Sequence, residues 1–498
     1  MAEEVWMLQT KKADFKQIGA RFRIDPVTAR IIRNRGIEGE AAIDRYLNGT
    51  LDDLYDPMLL KDMERAVSIL CEAVDTGKKI RIVGDYDIDG VCSTYILLQA
   101  FERLGSDVDF EIPDRIKDGY GINESIIEQA HADGVEVILT CDNGISAFHQ
   151  VELAKKYGMT VVITDHHEVP LDGEKEKIPP ADAVIDPKQA DCPYPFPEIC
   201  GAVVAYKLVQ VLYARRGVPQ MEWLDLLEFA AIATVGDVMK LQDENRILVK
   251  YGLKKMAQTK NLGLRRLAEK NNLDLGAITA YHIGFVIGPC LNAGGRLKTA
   301  KEALALLRAQ SEEEAERLAE ELKELNDTRK DMTEQGTEAA KLQVESWYQK
   351  DKVLVVFLPE CHESLAGIIA GRLREYYQKP AIVLTRGEEA VKGSGRSIDE
   401  YHMFKKLTEV SDLLLKFGGH PLAAGLSLEE KNIDEFRRRL NENAGLTEED
   451  FKAKVWIDVP MPVGYVTERL VRELSCLEPF GQGNEKPLFA EKSLRIRA

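Results

Sequence analysis

The sequence predicts an α/β protein: a parallel-sheet catalytic domain joined by a long helix to a smaller α/β domain, with a β-rich domain beginning at the C-terminus. Three observations carry this prediction. From Lys79, short β-branched runs alternate with amphipathic stretches, in "KIRIVGDYD", "DVDFEIPDR", "VEVILTCDNG", "MTVVITDHHE" and "AVIDP". That alternation implies parallel strands with helical crossovers. Residues 301–347 are dense in Ala, Leu, Glu and Lys with no Pro and one Gly, which predicts a long helix with a possible break at Gly336. The α/β grammar then returns in "KVLVVFLP", "GIIAGRLREYY", "PAIVLT" and "GSGRSI".

In chain order, residues 1–70 read as an N-terminal helical segment, because "DPMLLKDMERAVSILCEAV" spaces its apolar residues for a helix. Residues 71–301 form the catalytic domain, 302–348 the connecting helix, and 349–446 the smaller α/β domain. From 447, "KVWIDVPMPV" through "PLFAEKSLRIRA" begins a β-rich domain.

Composition narrows the function classes. A length of 498 residues exceeds one core, and 45% apolar content supports folded domains. The formal charge of −17 gives no basic footprint, so a polyanion must be met by a local patch or by bound metal. The eight cysteines include no CxxC pair, which argues against a zinc ribbon or a thioredoxin-type motif and fits a reduced cytoplasmic setting. No stretch approaches the length of a membrane span, and the first residues lack an apolar signal core.

The candidate chemistry lies at the carboxyl ends of the predicted strands, where ligands bind in open parallel sheets. Asp85, Asp87 and Asp89 crowd the end of the first strand. Together with Gly90 they match half of an EF-hand loop, but its twelfth position holds Ile96 instead of Glu, and a strand precedes it. Asp142 and Asn143 follow the third run, Asp165, His166 and His167 the fourth, and Asp237 sits amid apolar residues in "ATVGDVM". Taken singly, each group has an ordinary explanation in a solvated turn, a satisfied histidine or a helix cap. As a set, five acids with one or two histidines suit two hard or borderline ions, Mn²⁺ or Mg²⁺, better than zinc. Two such ions serve phosphoester hydrolysis.

These residues resemble the DHH phosphoesterase superfamily, named for the motif that stands here as Asp165-His166-His167. "GDYDIDG", "TCDNGIS", "TDHHE" and "ATVGDVM" occur in the superfamily's order. "IPDRIKDGYGIN", "GPCLNAGGRL", "GSGRSI", "FGGHPLAAG" and "LEPFGQGNEKPLF" narrow the resemblance to the bacterial single-strand-specific exonucleases within it. The resemblance implies a DHH catalytic domain, a DHH-associated domain and the start of an OB-fold too short to close a five-stranded barrel. It implies a 5′→3′ exonuclease that releases mononucleotides from single-stranded DNA in repair and recombination. Small-substrate relatives that cleave oligoribonucleotides or cyclic dinucleotides are the alternative, as are non-catalytic DNA-binding relatives.

By motif, the resemblance implies that Asp87 and Asp89 hold different metals, with Asp85 supporting and Asp142 bridging. His166 and Asp237 would complete the ligands of the second ion, and His167 would face the scissile phosphate, so His167, Asp142 and Asp87 carry the catalytic expectation. Arg115, Asn292, Arg296, Ser394, Arg396 and His420 are the implied substrate contacts. Tyr86, Tyr120 and Phe480 serve equally well as base-stacking or packing residues. The implied partners are single-stranded DNA, a single-strand-binding protein and a RecQ-type helicase, with a monomeric, cytoplasmic enzyme and no membrane. Two positions depart from the pattern: Val83 stands where many small relatives carry a histidine ligand, and Cys290 where an Arg is common.

Overall fold

The computed structural model describes residues 4–115, 119 and 121–494. It contains two compact units, one of residues up to Gln9 with Asp327–Ile457, the other of Thr10–Asn326 with the stretch from Asp458. In the smaller unit the first element is a strand, β1 (Glu4–Leu8), although a helical segment was expected there. Its partner is distant in sequence, so local periodicity gave no sign of the pairing.

The larger unit is built on a parallel sheet of β2 (Ile80–Val83), β3 (Val108–Glu111), β4 (Val137–Cys141), β5 (Thr160–Thr164) and β6 (Ala183–Ile185), in the order β3-β2-β4-β5-β6. All residues of β2 and β4 are buried, as expected of central strands covered on both faces. The chain reverses its direction of growth between β2 and β4. Their carboxyl ends therefore open the crevice in which such sheets bind ligands.

Helix α1 (Ile88–Arg103) leaves β2 after a four-residue loop, capped by the Asp87 carboxylate, which accepts from the N–H groups of Asp89 and Gly90 at 2.9 and 3.1 Å. Helices α2 (Gly201–Arg216) and α3 (Leu227–Gly236) share its core. A continuous helical run from Ala280 through a π turn at Ile283–Ile287 leads into α4 (Gly288–Leu297).

The long helix α5 (Glu312–Gln343) passes Gly336 without a break. The glycine is there for packing: a Cβ would lie 2.6 Å from Ile369 Cδ1. In the smaller unit, β7 (Leu354–Phe357), β8 (Ala381–Arg386), β9 (Val391–Arg396), β10 (Leu414–Gly419) and β11 (Ala423–Leu428) form a mixed sheet ordered β10-β11-β9-β8-β7. Helix α6 (Ala366–Tyr377) packs on it. Strand β12 (Ala453–Ile457) pairs in parallel with β1.

Within the larger unit, the short N-terminal helices are tied to the C-terminal stretch. Arg35 bonds the nearly buried Asp458 at 2.7 Å. The guanidinium of buried Arg246 lies over the Tyr46 ring and donates to the carbonyls of Tyr46, Leu477 and Cys476 at 3.0, 2.9 and 2.8 Å. Those three bonds fix the segment that leads to Phe480. Arg246→Ala should lower unfolding free energy by at least about 3 kcal/mol, because three carbonyls lose their donor at ~1 kcal/mol or more each. Urea denaturation of the two proteins measures this, and a change under 1 kcal/mol would show that water replaces the guanidinium.

Candidate metal centre

The loop after β2 is shaped by two glycines. A Cβ on Gly84 would meet Thr94 Oγ1 at 2.0 Å, and one on Gly90 would meet the Asp85 carbonyl at 2.3 Å. Their absent side chains let α1 close onto the loop, which turns Asp85, Asp87 and Asp89 toward one another. Asp85 Oδ1 accepts from the Gly121 N–H at 3.3 Å. Asp89 is buried against the start of α2, its two oxygens accepting from Gly201 and Ala202 N–H at 2.7 and 2.8 Å. The positive end of that helix favours the carboxylate form.

At the end of β4, Asp142 takes a left-handed backbone with φ of 60°. Asn143 locks this turn by donating to the carbonyls of Val83 and Cys141 at 3.0 and 2.9 Å while accepting from Ile122 N–H at 3.2 Å. At the end of β5, Asp165 accepts from the N–H groups of Ile145, His166 and His167, and its Oδ1 lies 2.7 Å from His167 Nδ1. Asp237 enters from the end of α3.

The side chains converge in three overlapping groups whose ligand atoms lie within 4.8 Å of one another: Asp85, Asp87 and Asp142; Asp89, His166 and Asp237; and Asp142, His166 and His167. His166 Nε2 is the meeting point, 3.1 Å from Asp142, 3.4 Å from Asp89 and 3.8 Å from Asp237. Burial and then mutual repulsion push Asp85 and Asp237 up to about 8, and raise Asp89 and Asp142 as well. Burial lowers His166, whereas for His167 the Asp165 carboxylate outweighs burial and lifts it to about 9. The donor set of buried oxygens and one imidazole, incomplete in charge, fits two divalent cations of the Mn²⁺ or Mg²⁺ type.

Two of the expected substrate contacts adjoin this centre. Arg115 stacks over Tyr86 at 4.8 Å, and Arg296 acts on Tyr86 electrostatically from α4. Asn292, on the same helix, keeps a buried Oδ1 with no hydrogen-bond partner among the described residues. Cys290 is buried and accepts from Asn326 Nδ2 at 3.3 Å, so packing occupies the position where an Arg is common. Ser394, Arg396 and His420 belong to the other unit. There Arg396 bonds Ser394 Oγ at 3.2 Å, and Gly367 at the start of α6 leaves room for both side chains. The register pairs Arg396 with Ala423, whose carbonyl accepts from His420 N–H, so all three lie at one sheet end. Phe480 packs among the N-terminal helices, and Tyr120 lies outside the described residues.

Three residues escaped the sequence reading. Asp165 belongs to a noted motif, but its role as anchor of His167 appears only in the hydrogen bonds. Gly201 gave a weak signal as a glycine opening an apolar helix, and Asn143 looked like turn chemistry. A Cβ at Gly201 would lie 2.8 Å from Asp142 Cβ and 3.1 Å from Asp89 Oδ2. Gly201→Ala should therefore weaken Mn²⁺ binding while leaving the fold, which calorimetric titration with circular dichroism would show.

The pH dependence follows from the raised carboxylates. Unfolded Asp titrates near 4, so between about pH 4 and 8 the ion-free folded protein holds more protons than the unfolded chain, and its stability falls as pH rises. Divalent ions need the deprotonated groups, so their stabilisation grows over the same range. Melting curves with EDTA and with Mn²⁺ at pH 6 and 8 should diverge most at pH 8; equal shifts at both would contradict these protonation states.

Comparisons with known proteins give the family. Residues 79–234 match the N-terminal domain of the DHH family, 350–445 the DHHA1 domain, and 457–498 the RecJ OB domain. Among curated proteins, the chain is 34% identical to the single-stranded-DNA-specific exonuclease RecJ of Haemophilus influenzae, over 95% of this chain and 84% of that protein. It is 35% identical to the Escherichia coli RecJ, over 94% and 83% respectively. Bacillus subtilis RecJ is 38% identical over 97% of this chain, which spans 61% of that longer protein. A crystal structure of Thermus thermophilus RecJ in complex with Mn²⁺ superposes with a TM-score of 0.84 at 30% identity, covering 98% of this chain and 69% of that one. With three domain matches in chain order and relatives over 30% identical along most of their length, the chain belongs to the RecJ family of DHH phosphoesterases.

Proposed function

We propose that the protein is a 5′→3′ exonuclease specific for single-stranded DNA, releasing 5′-mononucleotides by two-metal hydrolysis. The observation that carries this reading is the pair of carboxylate groups joined through Asp142 and His166 at the β2–β4 crevice. When bound, two divalent cations would neutralise phosphate charge and lower the pKa of water.

The chain's own residues divide the remaining work. Asp85, Asp87 and Asp142 would hold one cation and Asp89, His166 and Asp237 the other, with Asp142 shared. His167, whose Nδ1 is anchored by Asp165, would present its ring beside Asp142 to the scissile phosphate. Arg115, Asn292 and Arg296 would contact neighbouring phosphates. Ser394, Arg396 and His420 would receive the 5′ end, where a guanidinium and a helix N-terminus adjoin. An acidic chain can thus bind a polyanion through few cations, and affinity should fall with salt on a shallow slope. Action in the cytoplasm as a monomer, with a single-strand-binding protein and a RecQ-type helicase supplying substrate, completes the proposal. No described helix is long and apolar enough to cross a membrane.

Strands labelled at either end, a duplex and a dinucleotide, each incubated with Mn²⁺, test the reading. Mononucleotide release from the 5′ end of the single strand is expected; preference for the dinucleotide would point to a small-substrate phosphodiesterase, and binding without cleavage would overturn catalysis. Asp142→Ala should abolish turnover at every Mn²⁺ concentration. Asp165→Asn should cost about 10–100-fold, the usual effect of losing a partner that orients a site histidine, and should shift the pH–rate profile.

A further inference from the structure

The helical run that carries Asn292 and Arg296 begins with two aromatic residues that the metal centre does not use. Tyr281 and Phe285 are 63% and 67% exposed, and their rings stack on each other with centroids 4.8 Å apart and planes 27° from parallel. Large rings in this position forgo burial. They border a cavity of about 1010 Å³ whose wall includes Val235, Gly236 and Val238, the residues flanking Asp237. The C-terminal stretch closes its far side with Phe480.

The run approaches the metal loop closely at two glycines. A Cβ on Gly288 would lie 3.2 Å from Ile88 Cδ1, and one on Gly295 2.3 Å from the Tyr86 carbonyl. Fifteen residues separate Tyr281 from Arg296, or about 22 Å at 1.5 Å per residue. One element therefore presents a stacked aromatic pair at one end and the expected phosphate contacts at the other.

Building on the nuclease reading, we propose that Tyr281 and Phe285 form a base-stacking step that holds the single strand several nucleotides from the metal centre. The chemistry favours nucleobases over a peptide. The cavity's Lys250 and Lys486 are balanced by Glu478 and Glu485, so it offers no charge match to an acidic or a basic segment. Neutral ring faces take any base without reading its edges. The step lies in the same unit as the metal centre and continues its wall at Asp237, which suits a strand entering the site.

The test is equilibrium binding of a fluorescent 20-nucleotide oligo(dT), in EDTA, to the wild type, to the Tyr281→Ala/Phe285→Ala double variant and to Phe285→Leu. The double variant should bind at least about 10-fold more weakly, within the range for losing one stacked base, with an unchanged salt slope because no phosphate contact is lost. Phe285→Leu, which keeps bulk without a ring, should lose part of the affinity. A strand made of abasic sugar-phosphates should bind wild type and double variant alike, and should bind the wild type more weakly than oligo(dT) does, a comparison that needs no substituted protein to fold. Wild-type affinity in the double variant would overturn the proposal and leave the face to a protein partner. A loss that persists on the abasic strand, or a shallower salt slope, would also overturn it. Wild type that binds the strand but cleaves nothing defeats the nuclease reading while leaving the stacking step, whereas cleavage of dinucleotides without affinity for longer strands defeats the step.

Discussion

Three buried carboxylates and a half-buried fourth repel one another at the carboxyl edge of β2 and β4, and much of the larger unit is arranged around that repulsion. Asp85, Asp89, Asp142 and Asp237 all have raised pKa values, first from burial and then from their neighbours. The surrounding structure offsets only part of this cost. Asp89 rests on two N–H groups at the start of α2, and His166 Nε2 stands among three of the acids. The remainder is a deficit of positive charge, and divalent cations match it in number, hardness and reach.

The same constraint explains small residues that otherwise look arbitrary. Gly84 and Gly90 permit the loop to fold back on α1, Gly201 lets α2 approach Asp142, and Gly295 lets α4 approach Tyr86. Each places backbone where a side chain would stand. The centre is dense because chain segments, more than side chains, approach it closely, and Asn143 then fixes the left-handed turn at Asp142 from behind.

The parallel sheet was legible because its strands are continuous apolar runs followed by acids, a pattern that period and position both report. The acids and histidines of the centre were legible for the same reason: each follows a strand or helix end. Asp165 as anchor of His167 was not, since a hydrogen bond between adjacent motif residues leaves no periodic trace. The strand Glu4–Leu8 was missed because its partner, Ala453–Ile457, lies at the other end of the chain. Gly336 looked like a helix break, and only the packing of Ile369 shows it as a contact. Tyr281 and Phe285 stand out only through their exposure, which the sequence does not report.

Val83 leaves the first carboxylate group without the histidine that many small relatives place there, and Asp85 stands close enough to Asp87 and Asp142 to take that role. The central claim is that these groups form one centre for two ions. Electron paramagnetic resonance of the ion-stripped protein titrated with Mn²⁺ tests it most directly. Two ions per chain with an exchange-coupled spectrum, lost when Asp142 is replaced, is the result this account requires; a single ion per chain, or two uncoupled signals, would contradict it.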